Sequence, residues 1–385
     1  MMENKNTSWL HTHTVLRKAR RVMLIVTSIL LACILILLGV LLAWSPGKPA
    51  PIVGEDGKPL AGSLSEKIHV HINGVDQGMF IRSKDPAKPV LLYLHGGPAM
   101  PTYFLNQTYP AGLEEDFTVC WWEQRGAGLS FSADIPPETL TVEQMISDTL
   151  AVTNYLRARF GKEKIYLMGH SWGSFIGIQA AARAPQLYYA YIGVAQLTNQ
   201  LKSENLAYEY MLKQSKETGN TDLMGKLEAA PPTLTAPLPD AYMALRDEAM
   251  HTLGVGTTHD MKSVISGIFL AVWQNPEYTL GEKVDIWRGK WSPASKALWN
   301  QMLATDISAR IPQLEIPVYF LHGQYDYTVA YPETKSYFEQ LRAPLKGFYT
   351  FEHSAHSPIF EEAEKTRRIL RQDVLAGTNT LADVK

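Results

Sequence analysis

A serine attacks a carbonyl well only if its hydroxyl stands clear of crowding and a base is ready to take its proton. Gly169-His170-Ser171-Trp172-Gly173 suits the first requirement. The apolar run from Lys164 to Met168 precedes it and a small-residue stretch to about Arg183 follows, so the segment reads as strand, sharp turn and helix. At the apex of such a turn the serine backbone is forced into a sparsely allowed conformation, which Gly169 and Gly173 relieve by removing neighbouring side chains. Ser171 is therefore the candidate nucleophile. The amide of Trp172, at a helix N-terminus, points toward negative charge forming on a bound carbonyl oxygen. The second requirement is met far downstream. Ile316 to Asp326 reads as a strand ending in a polar turn, with Asp326 at the C-terminal edge where open sheets place ligand chemistry. Beyond a last strand, Gly347 to Phe351, the loop Glu352 to Pro358 offers two competing bases, His353 and His356.

Positioning these groups takes a large scaffold, and 385 residues with 46% hydrophobic content supply one domain with an insertion plus an extra apolar segment. A net charge of -2 gives no basic footprint for nucleic acid. Cys33 lies in an apolar run and Cys120 in a buried strand, so no disulfide is expected. Metal-ligand spacings are absent: His69 and His71 share a strand face with no Cys or acidic cluster beside them.

Val22 to Trp44 is nearly unbroken apolar sequence, long enough at about 1.5 Å per residue to cross a roughly 30 Å hydrocarbon core. Arg17, Lys18, Arg20 and Arg21 precede it, which places the N-terminus in the cytoplasm and the rest of the chain outside. A cleaved signal sequence is the rival; its apolar region normally spans only about 7–15 residues, and Leu41-Leu42-Ala43-Trp44-Ser45 is a poor cleavage site. The expected division is a cytoplasmic tail (1–21), a transmembrane helix (22–44), a Pro/Gly-rich linker (45–66), a core (67–198 and 306–385) and a helical cap (199–305).

The core opens with a predicted hairpin, Lys67 to Ile72 and Met79 to Arg82. Buried strands Pro89 to Leu94 and Phe117 to Trp122 follow, then a helix from Thr141 to Phe160. The two strands end in His95-Gly96-Gly97-Pro98 and Glu123-Gln124-Arg125-Gly126-Ala127-Gly128-Leu129-Ser130. Together with Gly169-His170-Ser171-Trp172-Gly173, these motifs resemble the HGGPG, DQRGxGxS and GGSWGG signatures of the proline iminopeptidase family of α/β-hydrolases. Glu123 stands where the family has Asp, and His170 where it has Gly. The resemblance implies an α/β-hydrolase fold, a mostly parallel sheet with an inserted helical cap. It also implies a Ser171, Asp326 and His356 triad, His356 matching the family's position, and an oxyanion hole from the amides of Gly97 and Trp172. His95 is expected to shape its loop, and Arg125 to buttress the turn around it.

Between Asn199 and about Thr305 strand signals stop and helical periodicity takes over, around 202–216, 240–252, 261–273 and 293–303. Such caps shape the pocket. The aromatics here, Trp273, Trp287, Trp291 and Trp299 with Tyr208, Tyr210 and Tyr242, read first as cap core. An aminopeptidase needs an anion for the substrate ammonium, for which Glu204, Glu209 and Glu228 are candidates. The expected activity is release of N-terminal proline or other residues from short peptides, without a cofactor. An esterase or amidase of small acyl groups is the alternative within enzymes. Epoxide hydrolases and haloalkane dehalogenases of this fold carry Asp at the place of Ser171. A non-enzymatic adhesion protein would have no use for an intact triad.

Overall fold

The computed structural model describes residues 4–385, with side chains from Leu16 onward; Met1 to Glu3 of the expected tail lie outside the described residues. Helix α1 (Asn4–Ala43) runs without a break through the expected tail and apolar span. Within Leu16–Ala43 an 18-residue window reaches a mean hydropathy of 3.1, and none of that window is buried against the rest of the protein. It is long and apolar enough to cross a membrane.

Strands β1 (Leu64–Ile72) and β2 (Val75–Ser83) form an antiparallel hairpin whose Asn73-Gly74 loop has positive φ at both positions, 47° and 85°. That is the backbone a two-residue turn matching strand twist requires. Strands β3 (Val90–Leu94), β4 (Thr118–Trp122), β5 (Ile165–His170), β6 (Tyr188–Val194), β7 (Val318–Gly323) and β8 (Lys346–Phe351) run parallel, and the whole sheet is ordered β1-β2-β4-β3-β5-β6-β7-β8. Alternation along the strands divides the core: Leu92 and Leu94 pack on one face with Ile146, Val152 and Phe175, while Leu91 and Tyr93 pack on the other with Trp121 and Met168. Helices α2 (Val142–Phe160) and α3 (Trp172–Arg183) carry the first of these clusters. Covering both faces explains why β3, β4, β5 and β7 read as unbroken apolar runs.

The insertion after β6 holds α4 (Gln200–Glu217), α5 (Thr221–Ala229), α6 (Asp240–Thr252), α7 (Leu270–Gln274), α8 (Leu280–Lys290) and α9 (Pro293–Leu303). Ala207, Met211, Tyr242 and Met250 give this layer a core of its own. Helices α5 and α8 were not expected from apolar periodicity; each is marked instead by its cap, Asn220 accepting from Leu223 N–H and Thr279 forming a capping box with Glu282.

The stretch expected to be a linker is packed against this layer. Lys283 on α8 is fully buried, and its amine donates to Trp44 O (2.8 Å), Ser45 Oγ (2.9 Å) and Trp273 O (2.7 Å). Gly47 N–H donates to Pro276 O at 3.0 Å and Ala50 N–H to Glu277 Oε1 at 3.0 Å, while Ile52 is buried. Proline and glycine mark a chain that cannot form regular structure, which does not prevent it from lying against a groove through its main-chain groups.

Candidate active site

Ser171 is delivered by the join of β5 to α3. Its backbone sits at φ 55° and ψ -121°, a strained conformation for a residue with a Cβ. The turn is too tight for neighbouring side chains: a Cβ on Gly169 would come within 2.7 Å of the Ser174 Cα, and one on Gly173 within 2.7 Å of the His95 carbonyl oxygen. Strain is held by the frame, with Ser171 N–H bonded to Val194 O at 3.0 Å and Ser174 N–H to Ser171 O at 2.8 Å.

Asp326 follows β7 and His356 follows β8, so both arrive at the C-terminal ends of neighbouring strands. His356 Nδ1 lies 2.9 Å from Asp326 Oδ2. Two further groups fix the carboxylate: Val329 N–H donates to Oδ1 at 2.9 Å, and His322 Nε2 lies 3.2 Å from Oδ2. Burial works against the charge on Asp326, but the pull of His356 and the hydrogen bonds from His322 and His356 hold its carboxyl well below the usual range. His353 is the exposed member of the pair of loop histidines.

The base-bearing loop is itself pinned by two carboxylates that sequence reasoning did not single out. Glu361 Oε1 accepts from Ala355 N–H (3.0 Å) and Ser357 N–H (3.2 Å), and its Oε2 takes His259 N–H of the cap at 2.6 Å. Glu362 Oε1 accepts from His353 N–H at 3.0 Å and the Ser354 hydroxyl at 2.7 Å. Glu361→Gln replaces one accepting oxygen by a donor facing an N–H, so the loop loosens. We expect kcat to fall about tenfold with KM nearly unchanged, measured by steady-state kinetics on an arylamide.

Gly96 and Gly97 reach the same point from β3. A Cβ on Gly96 would lie 3.4 Å from the Ser171 Cβ, and Gly97, at φ 125°, lines the cavity with Ser171. Gln124 ties this loop to the nucleophile turn: its N–H donates to His95 Nε2 and its side-chain amide to His95 O, each at 3.0 Å, while its Oε1 accepts from the Trp172 indole at 2.8 Å. His95 thus keeps its proton on Nδ1, which donates to Gly96 O at 2.7 Å, and burial lowers its pKa to about 4. His170 reaches from the nucleophile turn to the base loop, bonding His356 O through Nε2 at 2.8 Å; burial, and then the nearby His356, bring its pKa to about 3. Both histidines are neutral struts.

Glu123 bridges its own turn and the cap. It is buried, bonds Leu129 N–H at 2.6 Å and, on its other oxygen, the Tyr278 hydroxyl of the cap. Burial pushes it up to about 8. Arg125 forms a buried pair with Asp148 through Nε (2.7 Å) and Nη2 (3.0 Å) and also bonds Asn73 O, away from the cavity.

Ser171 and His356 lie at the floor of a cavity of about 690 Å³ roofed by the cap. Trp287, Trp291 and Trp299 line it, whereas Tyr242 is core and Trp273 faces a neighbouring groove. Among the described residues no hydrogen bond joins the Ser171 and His356 side chains. The candidate ammonium acceptors are elsewhere: Glu209 and Glu228 are exposed outside the cavity, and Glu204 is buried against Arg246 Nε (2.7 Å) and the Tyr242 hydroxyl (2.8 Å). The cavity carboxylates are Asp240, 3.5 Å from Lys296, and Asp247, whose Oδ1 bonds Arg246 Nη1 at 2.8 Å. Asp247 is 69% exposed, toward the cavity. Partial desolvation under the cap works against its charge, but the charges of Arg246 and Lys290, the hydrogen bond from Arg246 and nearby His251 together hold its pKa below the usual carboxylate range.

Residues 89–244 match the family described as alpha/beta hydrolase fold. A proline iminopeptidase of Heyndrickxia coagulans is 22% identical over 289 residues, 72% of this chain and 87% of that protein. The probable aminopeptidase YbaC of Bacillus subtilis (strain 168) is 31% identical over 306 residues, 79% of this chain and 94% of that protein. The chain is a proline iminopeptidase-like α/β-hydrolase. The crystal structure of proline iminopeptidase from Mycobacterium smegmatis superposes with a TM-score of 0.58 at 20% identity, over 81% of this chain and 98% of that one, and so shares the α/β-hydrolase fold. Membership makes this α/β-hydrolase a serine hydrolase of the prolyl aminopeptidase type.

Proposed function

We propose that this hydrolase is a membrane-anchored aminopeptidase that releases N-terminal proline or other residues from short peptides through an acyl-enzyme on Ser171. The observation that carries the reading is the strained Ser171 turn opening into the cavity that also receives His356, with Asp326 2.9 Å behind it. His356 Nε2 takes the hydroxyl proton as Ser171 Oγ bonds the substrate carbonyl carbon, and the amides of Gly97 and Trp172 stabilise the oxyanion. The same imidazole returns that proton to the departing amine. Water then repeats the sequence, freeing the amino acid and restoring the hydroxyl. The Ser171 hydroxyl turns onto His356 when substrate fills the site, as catalytic contacts often tighten only then. Asp247, which lines the cavity and uses Oδ1 for Arg246, is the acceptor for the substrate ammonium. The test is hydrolysis of prolyl and other aminoacyl arylamides by the full chain.

A second reading, an esterase or amidase of neutral acyl groups, draws on Lys290 and Lys296 beside the same cavity, which oppose an incoming cation. It requires a short acyl ester to be cleaved rapidly and the free arylamides to have no advantage over their N-acetyl counterparts.

Anchoring by α1 is supported by its apolar length and by Lys283, whose partners Trp44 and Ser45 sit where a signal sequence would be cut. Arg17, Lys18, Arg20 and Arg21 set the N-terminus inside. Protease added outside intact cells is expected to digest the chain beyond Ser45 and spare an epitope placed ahead of Arg17. Protection of the catalytic part until the membrane is breached overturns this orientation.

A further inference from the structure

Beyond α1, six of the exposed large apolar side chains come from the stretch 264–291 of the cap, Val264, Ile265, Phe269, Leu270, Val284 and Trp291, while Leu234 is exposed outside that stretch. Phe269, Val284 and Trp291 share an open groove, and the Trp287 ring lies 5.3 Å from that of Phe269 and 5.1 Å from that of Trp291. Ile265, Phe269 and Trp291 also line the catalytic cavity, so this surface is the rim of its mouth. At 65% and 70% exposed, Ile265 and Trp291 are costly to leave in water.

The position of α1 says what covers them. Lys283 ties the end of α1 to α8, and Val284 is the next residue on that helix. From Lys283 to Trp291 is about 12 Å along the helix axis. Trp44, 42% exposed, ends an apolar helix that spans the hydrocarbon core, which sets it at headgroup level. The clamp therefore holds the apolar rim within reach of the interfacial layer, where an apolar face sinks about 5–10 Å.

We propose that this side of the cap lies on the bilayer holding α1, so that the cavity mouth opens into the lipid–water interface. The substrates of Ser171 are then amphiphilic short peptides, presenting their N-terminal peptide bond to the triad while an apolar chain on the leaving part runs out between Phe269 and Trp291. The proposal rests on α1 being a retained anchor. It deepens the proposed activity by naming where the substrate comes from.

The test uses the full chain in vesicles of phosphatidylcholine and phosphatidylglycerol. Nitroxides are placed on native Cys33 in α1 and, in a Cys33→Ser background, on Leu270→Cys, Val284→Cys and Tyr189→Cys. Tyr189, near the start of β6, lies at the far end of the sheet from the cavity. Labels at positions 33, 270 and 284 are expected to be more accessible to oxygen than to a water-soluble nickel chelate, and the label at 189 the reverse. Water-like behaviour at 270 and 284 with lipid-like behaviour at 33 overturns the docking and leaves the anchor standing; water-like behaviour at all positions overturns both. Substrate entry is read with a hexadecyl fluorophosphonate dissolved in the vesicles and a short water-soluble one. Leu270→Asp with Val284→Asp is expected to slow Ser171 labelling by the first about tenfold and by the second less than about twofold. Equal slowing of both probes, or of neither, overturns entry from the interface.

Discussion

Ser171→Ala is expected to abolish labelling by a fluorophosphonate and to lower kcat on a prolyl arylamide about a millionfold, because the members of a triad act as one unit. The loss is chemical. The Ser171 side chain holds no neighbour in place among the described residues, and its φ of 55° is no harder for alanine than for serine, so the thermal midpoint should stay near that of the parent. His356→Ala is expected to match it, while Asp326→Asn lowers kcat about ten-thousandfold by favouring the wrong tautomer of His356. The other contacts of the carboxylate matter to the last case. Val329 N–H and His322 Nε2 are placed to bond a carboxylate, so the amide of asparagine meets donors on both sides and its orientation toward Nδ1 is spoiled. Labelling that survives Ser171→Ala would falsify the nucleophile assignment and direct attention to another hydroxyl.

What could be read from the sequence depended on whether a residue's partner was close by or fixed by the sheet. The nucleophile turn was legible because strand, turn and helix are consecutive and the glycines it needs flank Ser171. Asp326 and the loop after β8 were legible because a parallel sheet delivers every strand end to one edge, so two distant loops had to meet there, whereas the choice of His356 over His353 came from the family resemblance. Long-range pairing was not legible. Glu204 looked like a free anion until Arg246, a helix and a half further on, proved to occupy it. The Pro/Gly stretch after α1 looked unattached because its partners, Thr279, Glu277 and Lys283, lie more than two hundred residues away. Glu123 stood out in the sequence only as a departure from the Asp of the proline iminopeptidase signature. What it bonds became visible only with the cap in place, since Glu123 reaches both Leu129 N–H and the Tyr278 hydroxyl. One signal was present and passed over: Thr279-Leu280-Gly281-Glu282 spells a capping box, and it marks the start of the helix that carries Lys283 and Trp287.

Free prolyl arylamide is expected to be cleaved with a kcat/KM about tenfold to a hundredfold above that of its N-acetyl counterpart. The figure follows from one charge-assisted hydrogen bond of about 1.5–3 kcal/mol between the substrate ammonium and Asp247. A larger value would be out of keeping with the site. Asp247 is 69% exposed toward the cavity and already shares Arg246, so a substrate cation joins a cluster that water and Arg246 partly satisfy. Lys290 alongside opposes it further. Acetylation removes the cation, adds bulk and leaves Asp247 without that partner. Asp247→Asn should therefore lower kcat/KM for the free arylamide to near that of the acetylated one, and leave the acetylated one almost unchanged. Lys290→Met should do the opposite, raising activity on the free substrate by removing the competing charge. The two variants separate recognition of an ammonium from general damage to the cap, because damage lowers both substrates together. Equal rates on the free and acetylated compounds, with rapid cleavage of a short acyl ester, would leave the esterase reading as the one that accounts for the cavity.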